Sequence, residues 1–465
     1  AQIRWKMQIP NRHKKEAGTW KWGILALVLL APFFFLTYGF ANQYASGLSH
    51  VPSIVFAWEQ QIPLWPWTIV PYWSIDLFYG LSLLLCWTKF ELKQQAFRLF
   101  SAQLISISCF LLFPLKFSFE RPELHGFFGM WFDLLMGFDK PFNQAPSLHI
   151  VLLVILWDFY RRHVSGKWKY LVDFWSFLIG ISVLTTWQHH FIDIPTGLWV
   201  GSFCLWLFPL NVLAPWQKDS QQPLTPKHWK LASYYCITSI LFALCAWFFK
   251  PIGLWLLYPA ISLLLVSFAY FTGRPHCFQK QQNGQMSMAS ILLFAPYFVF
   301  AWLNSRAWTK KHPEDSFILQ ISHYEIYLGR IPTPSHLKNH YVAFFDCCAE
   351  LPTSSKIQRQ QFYSLDLIPL SANQLAIAVE HFSQLIQQYP HETSSISSKK
   401  LFISCALGYS RSSSILAAYL LKSGHATSVD AAIQIVQNAR PWIVLKDVQR
   451  QQLHLYQLKL QGLAP

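Results

Sequence analysis

The stretch Phe402-Ile403-Ser404-Cys405-Ala406-Leu407-Gly408-Tyr409-Ser410-Arg411-Ser412 sets a cysteine, five residues and then Arg-Ser between two apolar runs. Leu401 to Ser404 predicts a buried strand and Ser412 to Leu421 a helix, with Gly408 inside the connecting loop. A loop that leaves a strand and opens a helix aims backbone N–H groups at an anion on the helix N-terminus. Arg411 would grip two phosphate oxygens at once. The same positive field would lower the Cys405 thiol pKa and favour the attacking thiolate. The plainer alternative is a buried structural cysteine.

Upstream segments extend the pattern: Leu328-Gly329-Arg330-Ile331-Pro332, Asp346-Cys347-Cys348-Ala349-Glu350-Leu351-Pro352, Leu365-Asp366-Leu367-Ile368-Pro369 and Ala439-Arg440-Pro441. Together with the cysteine loop they resemble the dual-specificity branch of the cysteine phosphatases over about 320–460. That resemblance implies an α/β domain in which Cys405 is the nucleophile and Arg411 the phosphate clamp. It also implies that Ser412 eases departure of the thiolate, that Asp366 is the general acid and that Gly408 belongs to the phosphate-binding loop. A carboxylic acid on a nearby loop suits the need of the leaving oxygen for a proton. The chain departs from the family at Ser404, where a histidine usually precedes the cysteine. The loop also lacks the Lys or Arg carried by members that act on lipid polyphosphates, which disfavours a heavily charged inositol polyphosphate.

The rest of the chain has another character. It is 53% hydrophobic and 17% aromatic with only 13% charged residues, unlike an ordinary soluble protein. Apolar runs of spanning or nearly spanning length recur at about 24–40, 66–88, 101–117, 147–160, 170–187, 194–213, 231–249, 252–273 and 286–305. Nine spans are therefore expected, the short 147–160 run being accepted for its interfacial end at Trp157, Tyr160, Arg161 and Arg162.

A net charge of +15 would point to nucleic acid in a soluble protein, but its distribution points to a membrane. Basic residues precede the first span (Arg4, Lys6, Arg12, Lys14, Lys15, Lys21) and recur around Lys89–Arg98, Arg161–Lys169, Lys218–Lys230 and Arg274–Lys280, whereas 41–65 and 188–193 contain none. The excess of positive charge on alternate loops sets the amino terminus and basic loops in the cytoplasm. By parity, nine spans then put 309–465 on the non-cytoplasmic side, against the local preference of Arg306, Lys310 and Lys311. No arginine-aromatic surface pattern suggests a nucleic-acid partner. The nine cysteines show neither a disulfide framework nor a C-x-x-C or Cys/His cluster for a metal.

A second set of polar residues sits among the spans, on the non-cytoplasmic side by this charge count. The segment Lys116-Phe117-Ser118-Phe119-Glu120-Arg121-Pro122 ends the third span, Pro146-Ser147-Leu148-His149 opens the fourth, and His189-His190-Phe191-Ile192-Asp193 opens the sixth. His189 and Asp193 are four apart, so on a helix the carboxylate orients the imidazole. Ionisable groups at membrane depth are costly and are functional candidates by default. This set resembles the type 2 phosphatidic acid phosphatase superfamily over about 20–213. The resemblance implies His189 as a nucleophile that becomes phosphorylated, Asp193 as its partner, His149 as the acid for the leaving group, and Lys116, Arg121 and Ser147 as phosphate ligands. Four residues rather than the usual six separate Lys116 from Arg121, Ser182-Val183 replaces the usual Ser-Arg, and Leu148 replaces a common Gly. Pro-Ser-Leu-His with His-His-Phe and the following Asp looks more like the inositol phosphorylceramide synthase branch, which moves a phosphorylated head group between lipids. His190 and His125 read as structural hydrogen bonders, and Asp76, Asp158 and Asp173 as paired or span-end residues.

The expected organisation is a basic cytoplasmic tail (1–22), a six-span helical bundle (23–213), three further spans (214–308) and an α/β cysteine-phosphatase domain (309–465). This architecture looks like that of fused bacterial inner-membrane proteins and implies an enzyme acting on a phospholipid or lipid phosphate without cofactor or metal, because both chemistries pass through covalent phosphoenzymes. Two alternatives stay open: a head-group phosphotransferase carrying an inactive phosphatase domain, and a membrane-tethered module that binds phosphate without turnover.

Overall fold

The computed structural model describes residues 15–137, 139–218, 223–249, 252–321, 323–387 and 399–463. Arg4, Lys6, Arg12 and Lys14 lie outside the described residues. The chain divides into two compact units, 1–211 and 212–465.

The first unit is helical: α1 (Thr19–Ser46), α2 (Ile69–Leu84), α3 (Lys89–Leu112), α4 (Gly126–Met136), α5 (Leu148–His163), α6 (Trp168–Thr185) and α7 (Asp193–Leu207). Each of the six apolar runs expected in this part coincides with a helix, and α4 is a short addition. Lys89–Arg98, expected in a loop, forms the first turns of α3, where Thr88 caps the helix by accepting from Glu91 N. The reason is local pairing: Glu91 accepts from Arg162 at 2.7 Å, and Arg98, 4% exposed, pairs with Asp158 at 3.0 Å. These bonds let charged residues be part of a helix packed against α5 and α7. Asp158 and Asp173 are indeed paired, the latter with Arg161 and with the Trp157 indole N–H.

The second unit begins with α8 (Pro226–Phe248), α9 (Leu257–Thr272) and α10 (Met288–Trp308). Ser239 donates to the Ala260 carbonyl and Ser267 to the Ala232 carbonyl, so α8 and α9 form an antiparallel hairpin. Among the described residues five helical segments are long and apolar enough to cross a membrane: Thr19–Ser46, Lys89–Leu112, Pro226–Phe248, Ile252–Thr272 and Met288–Trp308.

An α/β domain follows: β1 (Ser316–Ile321), β2 (Tyr324–Gly329), α11 (Pro334–His340), β3 (Ala343–Cys348), β4 (Gln358–Ser364), α12 (Ala372–Gln387), β5 (Lys399–Ser404), α13 (Arg411–Lys422), α14 (Val429–Ala439) and α15 (Asp447–Leu460). The sheet order is β1-β2-β5-β3-β4, with only β1 antiparallel to its neighbour. The central strand β5 is buried on both faces, as a parallel strand with helices on either side must be. Leu401 and Ile403 enter the core shared with α12 and α13, while Phe402 joins Leu337, Tyr341 and Phe344 on the other face. The loops at the carboxyl ends of β3, β4 and β5 therefore open on one edge, where ligands of open α/β sheets bind.

Candidate active site

Cys405 sits one residue past β5 and is 3% exposed. Gly408 N donates to its Sγ at 3.3 Å, and so does Ser412 Oγ at 3.3 Å. Burial alone would raise the thiol pKa, but Arg411, the Ser412 hydroxyl and the Ser412 backbone N–H outweigh it and hold the thiol below its ordinary value. The loop keeps its shape because Gly408 adopts φ +71°, where a Cβ would lie 2.3 Å from the Gly329 carbonyl oxygen. Arg440 locks it from below: the guanidinium is wholly buried and its Nε donates to the Gly408 carbonyl at 3.0 Å. Ser404, where a histidine was the family expectation, is fully buried, and its hydroxyl has no hydrogen-bond partner among the described residues.

Arg411 opens α13 and is held by two carboxylates. Glu350 takes both terminal nitrogens, at 3.0 and 2.6 Å, and Asp366 Oδ1 accepts from one of them at 2.8 Å. Asp366 lies on the loop after β4, next to Leu367 at φ 61°, and its side chain is 30% exposed. Loss of hydration raises the Asp366 pKa above the ordinary carboxylate value; Arg411 opposes the shift and Glu350 adds to it. Glu350 belongs to a segment whose pattern was legible, yet its role was missed, because sequence spacing does not show which of several acidic residues faces Arg411. Asp346, at the end of β3, is instead a structural hub: it is fully buried, pairs with Lys280 at 2.6 Å and Arg359 at 2.7 Å, and accepts from the Thr353 hydroxyl.

The polar residues of the first unit also converge. His189 Nδ1 lies 3.1 Å from Asp193 Oδ2, and the His149 and His189 rings are 6.3 Å apart between centroids. Ser147 caps α5, accepting from Ile150 N, and its own N–H donates to the Asp193 carbonyl, joining the two histidine segments. Arg121 donates to the Trp187 carbonyl at 2.9 Å, two residues before His189. Lys116 is exposed and is tied by its backbone to Pro52 and Ser53. His190 is a structural clamp, as expected, bonded to Glu59 at 2.9 Å and to the Ser118 N–H at 3.1 Å. His125 only precedes α4. Asp139 escaped the sequence reading. It is 5% exposed, accepts from the Tyr38 hydroxyl at 2.8 Å and lies within electrostatic reach of His189 and Arg121. Asp193 Oδ1, Gln188 Nε2, Gln144 Oε1 and Arg121 Nε are buried without a hydrogen-bond partner among the described residues. Such a concentration of unsatisfied groups needs an account. Among the described residues no group of His, Cys, Asp and Glu is arranged to hold a metal.

Comparison with known proteins bears on the second unit alone. The dual specificity phosphatase catalytic domain family matches residues 326–459. Similar solved structures include PTPMT1 in complex with PI(5)P (15% identity, 31% of this chain and 96% of that one, TM-score 0.26) and human DUSP28 (18% identity, 30% and 94%, TM-score 0.25). A third is the Yvh1 phosphatase domain from Chaetomium thermophilum (15% identity, 33% and 100%, TM-score 0.26). No curated protein matches the chain. With the sheet, the cysteine cradle and the clamped arginine in place, residues 326–459 are a dual-specificity phosphatase catalytic domain, attached in this chain to a helical region that contains candidate membrane spans.

Proposed function

We propose that the chain is a membrane enzyme that removes phosphate from a lipid phosphomonoester at Cys405, and that a second, histidine-based site acts on phospholipids within the helical bundle. The observation that carries the first part is the cradle around Cys405 Sγ, with two donors at 3.3 Å and Arg411 at the mouth of the following helix. In this reading the Cys405 thiolate attacks phosphorus, the bond to the leaving oxygen breaks, and Asp366 gives that oxygen its proton. Water then attacks the phosphocysteine, Asp366 takes a proton from it, and Ser412 stabilises the departing thiolate. Asp366 must leave Arg411 for phosphate to bind, while Glu350 stays and keeps the guanidinium plane fixed.

Support for a lipid substrate comes from the acid loop. The Tyr270 hydroxyl of α9 donates to the Asp366 carbonyl at 3.1 Å, so the general acid is tethered to a helix apolar enough to lie in a bilayer. Release of phosphate from a detergent-solubilised lipid phosphomonoester by the full chain is the test; hydrolysis of soluble aryl phosphates alone would refute the lipid assignment.

For the bundle, His189 is the proposed phosphoryl acceptor, Asp193 its orienting partner and His149 the proton donor, with Arg121, Ser147 and Lys116 toward the phosphate. The buried, unpartnered atoms around them support a polar ligand there. Transfer of a head group between two lipids is the second reading, favoured by the Pro-Ser-Leu-His and His-His-Phe segments. The bacterial inner membrane, with a cytoplasmic amino terminus and the histidine site on the opposite face, is the proposed location.

A further inference from the structure

By length and composition α10 qualifies as a span, and counting it is what sends the phosphatase domain to the non-cytoplasmic side. Its contacts contradict a crossing. At its beginning, Ser290 Oγ donates to the Phe278 carbonyl at 2.6 Å, and the Pro275–Phe278 turn lies against β4. The loop that leads into α10 is fastened to the same domain: Lys280 Nζ meets Asp346 at 2.6 Å and the Cys348 carbonyl at 2.7 Å, and Thr353 N donates to the Gly284 carbonyl. Midway, Ala301 packs on Ile331, Cys348, Leu351 and Ala406. Near its end, Ser305 donates to the Ala406 carbonyl at 2.6 Å and Arg306 to the Ile331 carbonyl at 3.0 Å, and Arg330 donates to the Thr309 hydroxyl. The loop that enters α10 is thus fastened beside the end of β3, and the last turns of the helix are fastened to the segments that follow β5 and β2, next to Cys405.

From Met288 to Ser305 a helix rises about 25 Å, most of a hydrocarbon core of about 30 Å. If α10 crossed, one hydrophilic sheet domain would be hydrogen-bonded to segments on both sides of the bilayer, with strand ends buried in lipid. Backbone groups at that depth must be satisfied within the protein, and an open sheet edge is not tolerated there. The outward face of α10 is apolar. Met288, Ile291, Val299, Phe300 and Leu303 are exposed there, Trp302 joins them toward the end, and Arg306 stacks over Trp302 at 5.1 Å. The inner face is apolar as well, but it is covered by α9 and the domain, so the outward apolar face is the one left for lipid, and Trp302 with Arg306 near its end suits the membrane interface.

We infer that α10 does not cross the bilayer but lies along its surface, its outward face seated in the lipid interface and its inner face carrying the phosphatase domain. This rests on the proposed reading of α8 and α9 as spans. Removing one crossing changes the parity: the domain falls on the side of the basic loop Lys218–Lys230, hence the cytoplasm, in agreement with Arg306, Lys310 and Lys311. The active-site edge then faces the membrane surface.

The test uses the full chain in intact cells, with a membrane-impermeant maleimide and identification of the labelled peptides. Gln282→Cys precedes α10, Gln461→Cys follows the domain, and Ile252→Cys marks the tip of the α8–α9 hairpin. The expected result is that 282 and 461 are both protected until the membrane is opened, while 252 is labelled in intact cells. Labelling of 282 and 461 from opposite sides overturns the inference. If 252 shares the side of 282, the reading of α8 and α9 as spans fails, and the side assignment falls with it. A photoreactive group held at head-group depth on a phospholipid should mark both Ile291 and Leu303; marking of neither would show that the face is not seated in lipid.

Discussion

Glu350 holds both terminal nitrogens of Arg411, at 3.0 and 2.6 Å, with the two side chains each only 3% exposed. This pair fixes the orientation of Arg411, the proposed phosphate clamp. Glu350→Ala would take the bidentate partner from a buried guanidinium and leave it Asp366 and the Ser364 carbonyl, so the cost should fall at or below the roughly 3–5 kcal/mol of breaking a buried pair. The expected outcome is a lowered melting temperature together with a KM increase for an aryl phosphate of at least about tenfold. Glu350→Gln, which keeps one acceptor, should recover part of the stability. Unchanged KM in both variants would remove Glu350 from the site.

Cys405→Ser should reduce hydrolysis of a soluble aryl phosphate by at least about a thousandfold, since removing a nucleophile removes the covalent route. Asp366→Asn should slow the reaction by roughly a hundredfold for poor leaving groups and far less for good ones, the signature of a lost general acid. Wild-type turnover by the serine variant would disprove the nucleophile assignment.

The pH profile follows from two opposite shifts. The Cys405 thiol lies below its ordinary value, so activity should rise as pH increases through that lowered pKa and thiolate forms. The Asp366 carboxyl lies above its ordinary value, so activity should fall as pH increases through that raised pKa and the acid loses its proton. A bell-shaped kcat/KM is expected, with the alkaline limb abolished in Asp366→Asn. Persistence of that limb in the variant would assign it to another group.

Gly408→Ala tests the loop itself. With φ +71° and the Gly329 carbonyl oxygen 2.3 Å from the added methyl, the loop must shift, at a cost of about 1–3 kcal/mol. Because the Gly408 N–H is one of the donors to Cys405 Sγ, activity should fall by more than the change in stability explains. Loss of activity in proportion to unfolding only would show that this donor is dispensable.

Independence of the two sites can be read in lipid assays. His189→Ala should eliminate phosphate release or head-group transfer at the bundle site, while Cys405→Ser leaves that step intact. Loss of both activities in either folded variant would indicate one composite site.

Much of the phosphatase domain was legible locally. The strand before Cys405 and the helix after it are written in the apolar runs, since both are periodic over a few residues, and Gly408 stands where the backbone needs φ above zero. The nine apolar runs likewise coincide with helices, because hydropathy over a window is a local quantity. What a helix does next is not local. Nothing in the composition of Met288–Trp308 separates a span from a helix laid on a domain; the proposed surface placement rests on partners far away in sequence, Cys348, Ala406 and Ile331. The partner of Arg411 also rests on distant contacts. The sequence singled out Asp366 alone, and only the sheet, by bringing the ends of β3, β4 and β5 to one edge, put Glu350 beside Asp366 on the guanidinium and left Asp346 to Lys280 and Arg359. Periodicity and loop chemistry act over a few residues and are carried by the sequence itself, whereas the choice of a charge partner and the side of a membrane depend on which distant segments meet.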